Sequence, residues 1–403
     1  MDLDSAVPDA VLGIILLLVF TSLPQPLLPA KVVALKERLR SFDFLKGVCI
    51  VFIIMMHAKD LASIPPLLEA TLWLAVPSFI FASGYLISRR NPEGAGKGYF
   101  QKIWWRIGLL YVVFTLAWMF LTHVALDQLP AYLLLGRANG GTLYFIPVLL
   151  SLYIIYPVLI KAQKALGWDV FLLLCLCFSA LSEYADLQYA AVNWDANPLS
   201  LAFFGRLLFV FAAGMYLSRV DMERLMGRAA AVIALCVSIA AIVLVGQQGF
   251  HFFSYFFGPV AFSCLLLAVH RGIADGVRII TRVFEQLGKN SLIIYMTHTN
   301  ILYTVLKPNF TAYQGSETFF ILVLLATVLS YAFSAVFMKA YGTVLQVFGV
   351  SESKRPDSRS GIALLGPHKD DSDSQQHHHI DEPEEIEQDV IGRRCRIFAG
   401  ADK

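Results

Sequence analysis

Five ionisable side chains lie inside long apolar runs of the sequence: Lys46, His57, Arg106, Arg206 and His298. Asp43, Glu183 and His123 stand closer to the ends of such runs. A charged group in hydrocarbon costs roughly 3 kcal/mol or more, so each of these residues is a candidate for function. Lys46 and His57 are eleven positions apart, which at about 100° per residue leaves a net rotation of only about 20° and a rise of about 16 Å. They share one helix face, and with Lys46 at the membrane surface His57 is expected near the midplane. His298 follows Gly288, Lys289, Asn290 and Ser291, and the same rise carries it about 15 Å inward. Two imidazoles are therefore expected to meet at one level. A neutral imidazole in a water-lined cavity is a general base, while a packed histidine bonded to a neighbouring carbonyl is the plainer alternative; the shared Lys46–His57 stripe keeps both open. Arg206 enters from the opposite side and faces the same cavity. Lys102, Arg106, Arg89 and Arg90 form a basic cluster, read either as membrane anchoring or as a site for a phosphate-bearing anion, which guanidinium groups bind bidentately. The sequence carries no zinc spacing, no phosphate-cradling glycine loop and no Ser–His–Asp pattern, and no metal site is expected.

The elements that must hold these residues follow from composition. The chain has 403 residues, 57% hydrophobic and only 15% charged, against about 45–50% apolar and about 25% charged in soluble domains. Its net charge of +2 gives no basic patch for nucleic acid. A bilayer-crossing helix needs about 20 mostly apolar residues. Such runs recur at 10–29, 45–64, 67–88, 103–123, 142–160, 168–185, 199–217, 229–246, 252–270, 288–306 and 319–339. The expected fold is all-α, a polytopic membrane helix bundle of about ten core helices behind one N-terminal accessory helix. Residues 1–40 form that accessory helix and a basic loop, 41–349 the membrane domain, and 350–403 a polar tail. The accessory run lacks the basic start and small-residue cleavage pattern of a signal peptide.

Alternate loops place seventeen lysines and arginines on one side and three, Lys59, Arg137 and Lys307, on the other. Positive charge favours the cytoplasm, so the N-terminus is expected outside and the tail inside. The tail, with His377, His378 and His379 and an acidic run from Asp381 to Glu387, is too polar to bury a core and is expected to be disordered. Five of the six cysteines sit in apolar runs, where neither a disulfide framework nor a zinc spacing is visible.

Four stretches together resemble the membrane-bound acyltransferase-3 family, on its fucose-acetylase-like branch. They are Ser41–His57, with a basic residue, ten others and a histidine; Pro77–Arg89, with Ser83-Gly84-Tyr85-Leu86; Leu143–Tyr153, with Tyr144-Phe145-Ile146-Pro147; and Leu287–His298, with Gly288, Ser291, Tyr295 and His298. They occur in order across residues 41 to 340. The family's basic motif is reduced here to Lys102-Ile-Trp-Trp-Arg106-Ile-Gly108, where Ile103 replaces its first arginine and the proline is missing.

What the resemblance implies is transfer of an acyl group, acetyl by family habit, from cytoplasmic acyl-coenzyme A to a hydroxyl of a sugar, glycan or glycolipid at a bacterial inner membrane. His57 is then the general base or an acyl carrier, and His298, Tyr295 and Lys46 assist it. Arg106, with Lys102, Arg89 and Lys46, meets the coenzyme, which is a co-substrate, so no resident cofactor is implied. Arg206 and Tyr144 meet the acceptor. A glycan or lipid-linked sugar flippase is the rival class, although no internal repeat supports it. A heparan-glucosaminide N-acetyltransferase-like enzyme is the third, since Met56-His57-Ala58-Lys59-Asp60 also resembles that opening span.

Overall fold

The first core helix, α1 (Arg40–Ala58), begins after Leu39, whose backbone is extended. Asp43 occupies its first turn, where negative charge complements the helix dipole. That carboxylate is 2% exposed and is balanced by Lys46 Nζ at 2.9 Å. The Lys59 N–H closes the last turn on the Met55 carbonyl, and Pro65 and Pro66 follow, which disfavour continued helix. The span expected over 45–64 thus lies several residues earlier. Correspondingly, His57 sits in the last turn of its helix rather than at mid-span.

The computed structural model describes residues 39–59, 64–136, 142–190, 199–219, 256–273, 277–310 and 316–347. Among them every regular element is helical. After α1 come α2 (Pro66–Leu72), α3 (Ala75–Arg90), α4 (Tyr99–Ile103), a π-helical turn (Trp104–Gly108), α5 (Leu109–Leu121), α6 (Leu129–Leu135), α7 (Phe145–Ala190) and α8 (Leu199–Leu217). Then follow α9 (Gly258–Ile273), α10 (Arg278–Lys289), α11 (Ser291–Asn300), a second π-turn (Ile301–Leu306), α12 (Lys307–Phe310) and α13 (Ser316–Val347). Five helical stretches are long and apolar enough to cross a membrane: Arg40–Ala58, Pro66–Arg90, Tyr99–Leu121, Phe145–Ala185 and Thr318–Thr343. The expected runs 10–29 and 229–246, Arg137 and the tail 350–403 lie outside the described residues.

Two local features differ from the sequence expectation. The runs at 142–160 and 168–185 are two helices that abut without a loop, and α7 breaks between them at Gly167, whose φ 77°, ψ 170° is a conformation essentially reserved for glycine. The stretch between 270 and 288, expected as a loop, contains α10. That segment is helical because it has a backbone surface to pack on, namely α1.

Glycines make that packing. A Cβ on Gly47 would overlap the Phe284 carbonyl oxygen, and a Cβ on Gly288 would overlap that of Asp43. Between helices in lipid, small residues matter because close backbone approach replaces the hydrophobic drive that water would supply. Gly288 meets Gly47, and further along the same helices the His298 ring meets that of His57. Both pairs are 241 positions apart, so α10–α11 runs parallel to α1. A second glycine pair, Gly84 against Phe211 and Gly214 against Phe81, brings α3 and α8 together. Their C-termini lie side by side, since Arg89 at the end of α3 donates to the Ser218 carbonyl just past α8 at 3.3 Å. These relative directions agree with the alternation expected from the basic loops. The Phe42 ring of α1 stacks on Tyr85 of α3 with centroids 4.3 Å apart, tying the two glycine-packed pairs into one core.

Candidate active site

The parallel course of α1 and α11 brings the two expected imidazoles together: the His57 and His298 rings are 5.1 Å apart, tilted at 48°. His298 is fully buried. Its Nδ1 lies 2.7 Å from the Tyr295 carbonyl and 3.2 Å from that of Ile294. Carbonyls only accept, so Nδ1 carries the proton and donates it to them. A neutral ring then presents Nε2 as a lone pair, and that atom is buried with no hydrogen-bond partner among the described residues. Leaving a buried acceptor unmatched costs about 1–3 kcal/mol. The arrangement is that of a proton acceptor held beside a half-buried second imidazole.

Tyr295 meets this site through both its hydroxyl and its backbone carbonyl. Its hydroxyl donates to the Thr142 backbone carbonyl and its ring packs edge-on to Phe145 at 5.1 Å. It therefore pins the start of α7 to α11, while its own carbonyl sets the His298 tautomer. Tyr144, next to this anchor, is half-buried and packs against the core. Thr142 and Thr299, whose hydroxyls are 3.4 Å apart, were not singled out by the sequence. The threonines on either side of His298 were the available signal, but the partner at 142 is distant in the chain and only folding brings it in.

The basic residues fall into separate settings. Lys46 is half-buried and engaged with Asp43. Lys102 and Arg106 are exposed, on α4 and the first π-turn. Arg89 is turned toward the C-terminus of α8, where a cation offsets the unmatched carbonyls, and its guanidinium lies 6.0 Å over the Tyr85 ring. Part of its work is thus to join α3 to α8.

Arg206 is buried in a two-point ion pair with Glu183 of α7. An acidic acceptor would have to compete with that carboxylate. Removing one partner of a buried pair leaves an unbalanced charge, worth about 3–5 kcal/mol. Glu183→Gln is expected to lower the thermal midpoint by several degrees, and Glu183→Leu combined with Arg206→Met to recover most of it, read by melting in detergent. Equal midpoints for Glu183→Gln and the parent would show that the pair contributes nothing.

Among the described residues no group of three or more His, Cys, Asp or Glu could hold a metal ion. The acyltransferase-3 family model, described as an acyltransferase domain, matches residues 39–339. The chain belongs to the acyltransferase-3 family. No curated protein and no solved structure gives a significant match. The matched stretch begins one residue before α1 and ends within α13, so it contains the histidine pair, its tyrosine and threonine surroundings and both glycine contacts. It is therefore a membrane acyltransferase in which α1 and α11, two of the segments that carry the resemblance, supply the candidate site.

Proposed function

We propose that the chain transfers an acyl group, acetyl by preference, from cytoplasmic acyl-coenzyme A to a sugar hydroxyl of a glycan or glycolipid. The observation that carries this reading is the buried Nε2 lone pair of His298 beside His57. His57 takes the proton of the acceptor hydroxyl while the freed oxygen attacks the thioester carbonyl. The new C–O bond forms as the C–S bond breaks, and the departing thiolate takes the proton from the imidazolium. As His57 takes up that proton, the Nε2 lone pair of His298 is the basic neighbour that steadies the imidazolium, as an orienting group does in other acyl-transfer sites.

Exposed Arg106 and Lys102 receive the coenzyme phosphates, and Lys46 lies on the stripe leading from the entry to His57. Arg89 contributes there mainly by holding α3 to α8. Tyr144, beside the Thr142 anchor, lines the acceptor side, and Arg206 acts on that side through its pair with Glu183. The coenzyme enters from the cytoplasm of a bacterial inner membrane, in the orientation that the basic loops favour.

The deciding experiment follows label from acetyl-coenzyme A into host glycans and glycolipids, in membranes carrying either the parent protein or His57→Ala at matched expression. Label present with the parent and lost with the variant is the expected result. Absence of label from both, with acetyl and succinyl donors, would sink the proposal and favour a flippase.

A further inference from the structure

His57 occupies an exposed kind of position for a residue that must be placed well: the last turn of α1. The final four carbonyls of a helix have no intrahelical donor, and the turn that carries them frays unless something outside the helix supplies one. At Met55 the donor is the Lys59 N–H. The His57 carbonyl accepts a hydrogen bond from the hydroxyl of Tyr303 at 3.0 Å.

Tyr303 reaches that carbonyl because of where the second π-turn falls. Tyr303 lies five positions after His298, and in an uninterrupted α-helix it would be about 140° around the axis from that histidine. The helix is α only through Asn300, and residues 301–306 are π-helical. A π-turn closes i to i+5 and so advances less per residue, and such turns concentrate at functional sites. Tyr303 is thereby rotated back toward the face of His298, the face that meets α1. Lys307 Nζ stands 5.5 Å over the Tyr303 ring, fixing the ring by its face while the hydroxyl is fixed by the carbonyl.

We infer that Tyr303 is a positioning residue for His57, holding the C-terminal turn of α1 through the His57 carbonyl so that the imidazole stays beside His298. It acts through the His57 backbone, to whose carbonyl its hydroxyl donates. The role rests on the acyl-transfer reading for its effect on rate, but not for its effect on the placement of His57.

Tyr303→Phe removes only the hydroxyl. With acetyl-coenzyme A as donor and host glycolipid as acceptor, the maximal rate is expected to fall about tenfold, with KM for the donor changed by less than about twofold, because the missing contact places the base and does not bind the coenzyme. A second readout needs no turnover: carbethoxylation of the full-length protein by diethyl pyrocarbonate, resolved by peptide mass spectrometry. The rate at His57 should change several-fold, while that at His123, which is exposed, stays the same and the melting midpoint is retained. An unchanged His57 reactivity overturns the inference, as does a fall in rate that tracks a fall in melting midpoint, which marks a merely structural hydroxyl. If the parent protein transfers no label, the acyl-transfer reading has failed, and the reactivity at His57 alone decides whether Tyr303 positions it.

Discussion

His298→Gln is expected to reduce acyl transfer by roughly 100- to 10,000-fold, the range associated with losing general acid–base assistance. Glutamine fills much of the imidazole's volume and places an amide near the position of Nε2, giving up the Nδ1 contact to the Tyr295 carbonyl at 2.7 Å. It offers no basic nitrogen in place of Nε2. The fold should therefore persist while the basic lone pair beside His57 is lost. Single-turnover transfer from acetyl-coenzyme A would show the deficit in the chemical step, with a melting midpoint near that of the parent. His123→Gln, at an exposed position outside the site, is the matched control and should leave transfer unchanged. Near-parental rates for His298→Gln would mean that the buried imidazole is only a packed side chain.

The second large effect is at Gly47. A Cβ there would run into the backbone oxygen of Phe284, with the Phe284 carbonyl carbon and Cα close behind. A flexible side chain can swing away, but a helix backbone cannot. Overpacking of this kind costs about 1–3 kcal/mol and more when the obstacle is itself rigid. Gly47→Leu should therefore lower the melting midpoint markedly or prevent accumulation of folded protein. Gly47→Ala is the informative milder variant: its displaced α10–α11 would carry His298 away from His57, and a misplacement of about 1 Å can cost about 100-fold in rate. Gly272→Ala, in α9 with nothing within 4 Å of the added Cβ, should be neutral or slightly stabilising, since alanine is favoured over glycine in helices by about 1 kcal/mol. Similar behaviour of Gly47→Ala and Gly272→Ala in melting and transfer assays would refute the crossing as the determinant of site geometry.

Apolar runs and the handful of charges inside them were legible without a structure, because hydrocarbon tolerates neither a broken backbone nor a stray charge. That constraint marked Lys46, His57, Arg106, Arg206 and His298. It also gave the meeting of His57 and His298, which the rings confirm at 5.1 Å. Element ends were less accessible. The start of α1 at Arg40 depends on Asp43 being buried and paired with Lys46, and α10 is a helix in a stretch whose apolar content alone suggests a loop. The place of α10 follows from the contact between Gly47 and Gly288, and a glycine read in the sequence does not say whose backbone it meets.

Charge partners were hidden for the same reason. Arg206 is expected from the sequence to face the cavity and meet the acceptor, and a buried arginine also needs a counter-charge. Which carboxylate meets it is a question of how α7 lies on α8, and the answer is Glu183. Tyr295 was legible as part of the site, but not that its hydroxyl goes to Thr142 and its carbonyl to His298. By itself the sequence determined an all-helical membrane chain of the acyltransferase-3 kind and the histidines to suspect, since solvent preference and helical period act on each segment separately. Only the tertiary structure decided the protonated nitrogen of His298, the carbonyl that Tyr303 holds and the partner of Arg206, because each depends on hydrogen-bond geometry between segments far apart in the chain.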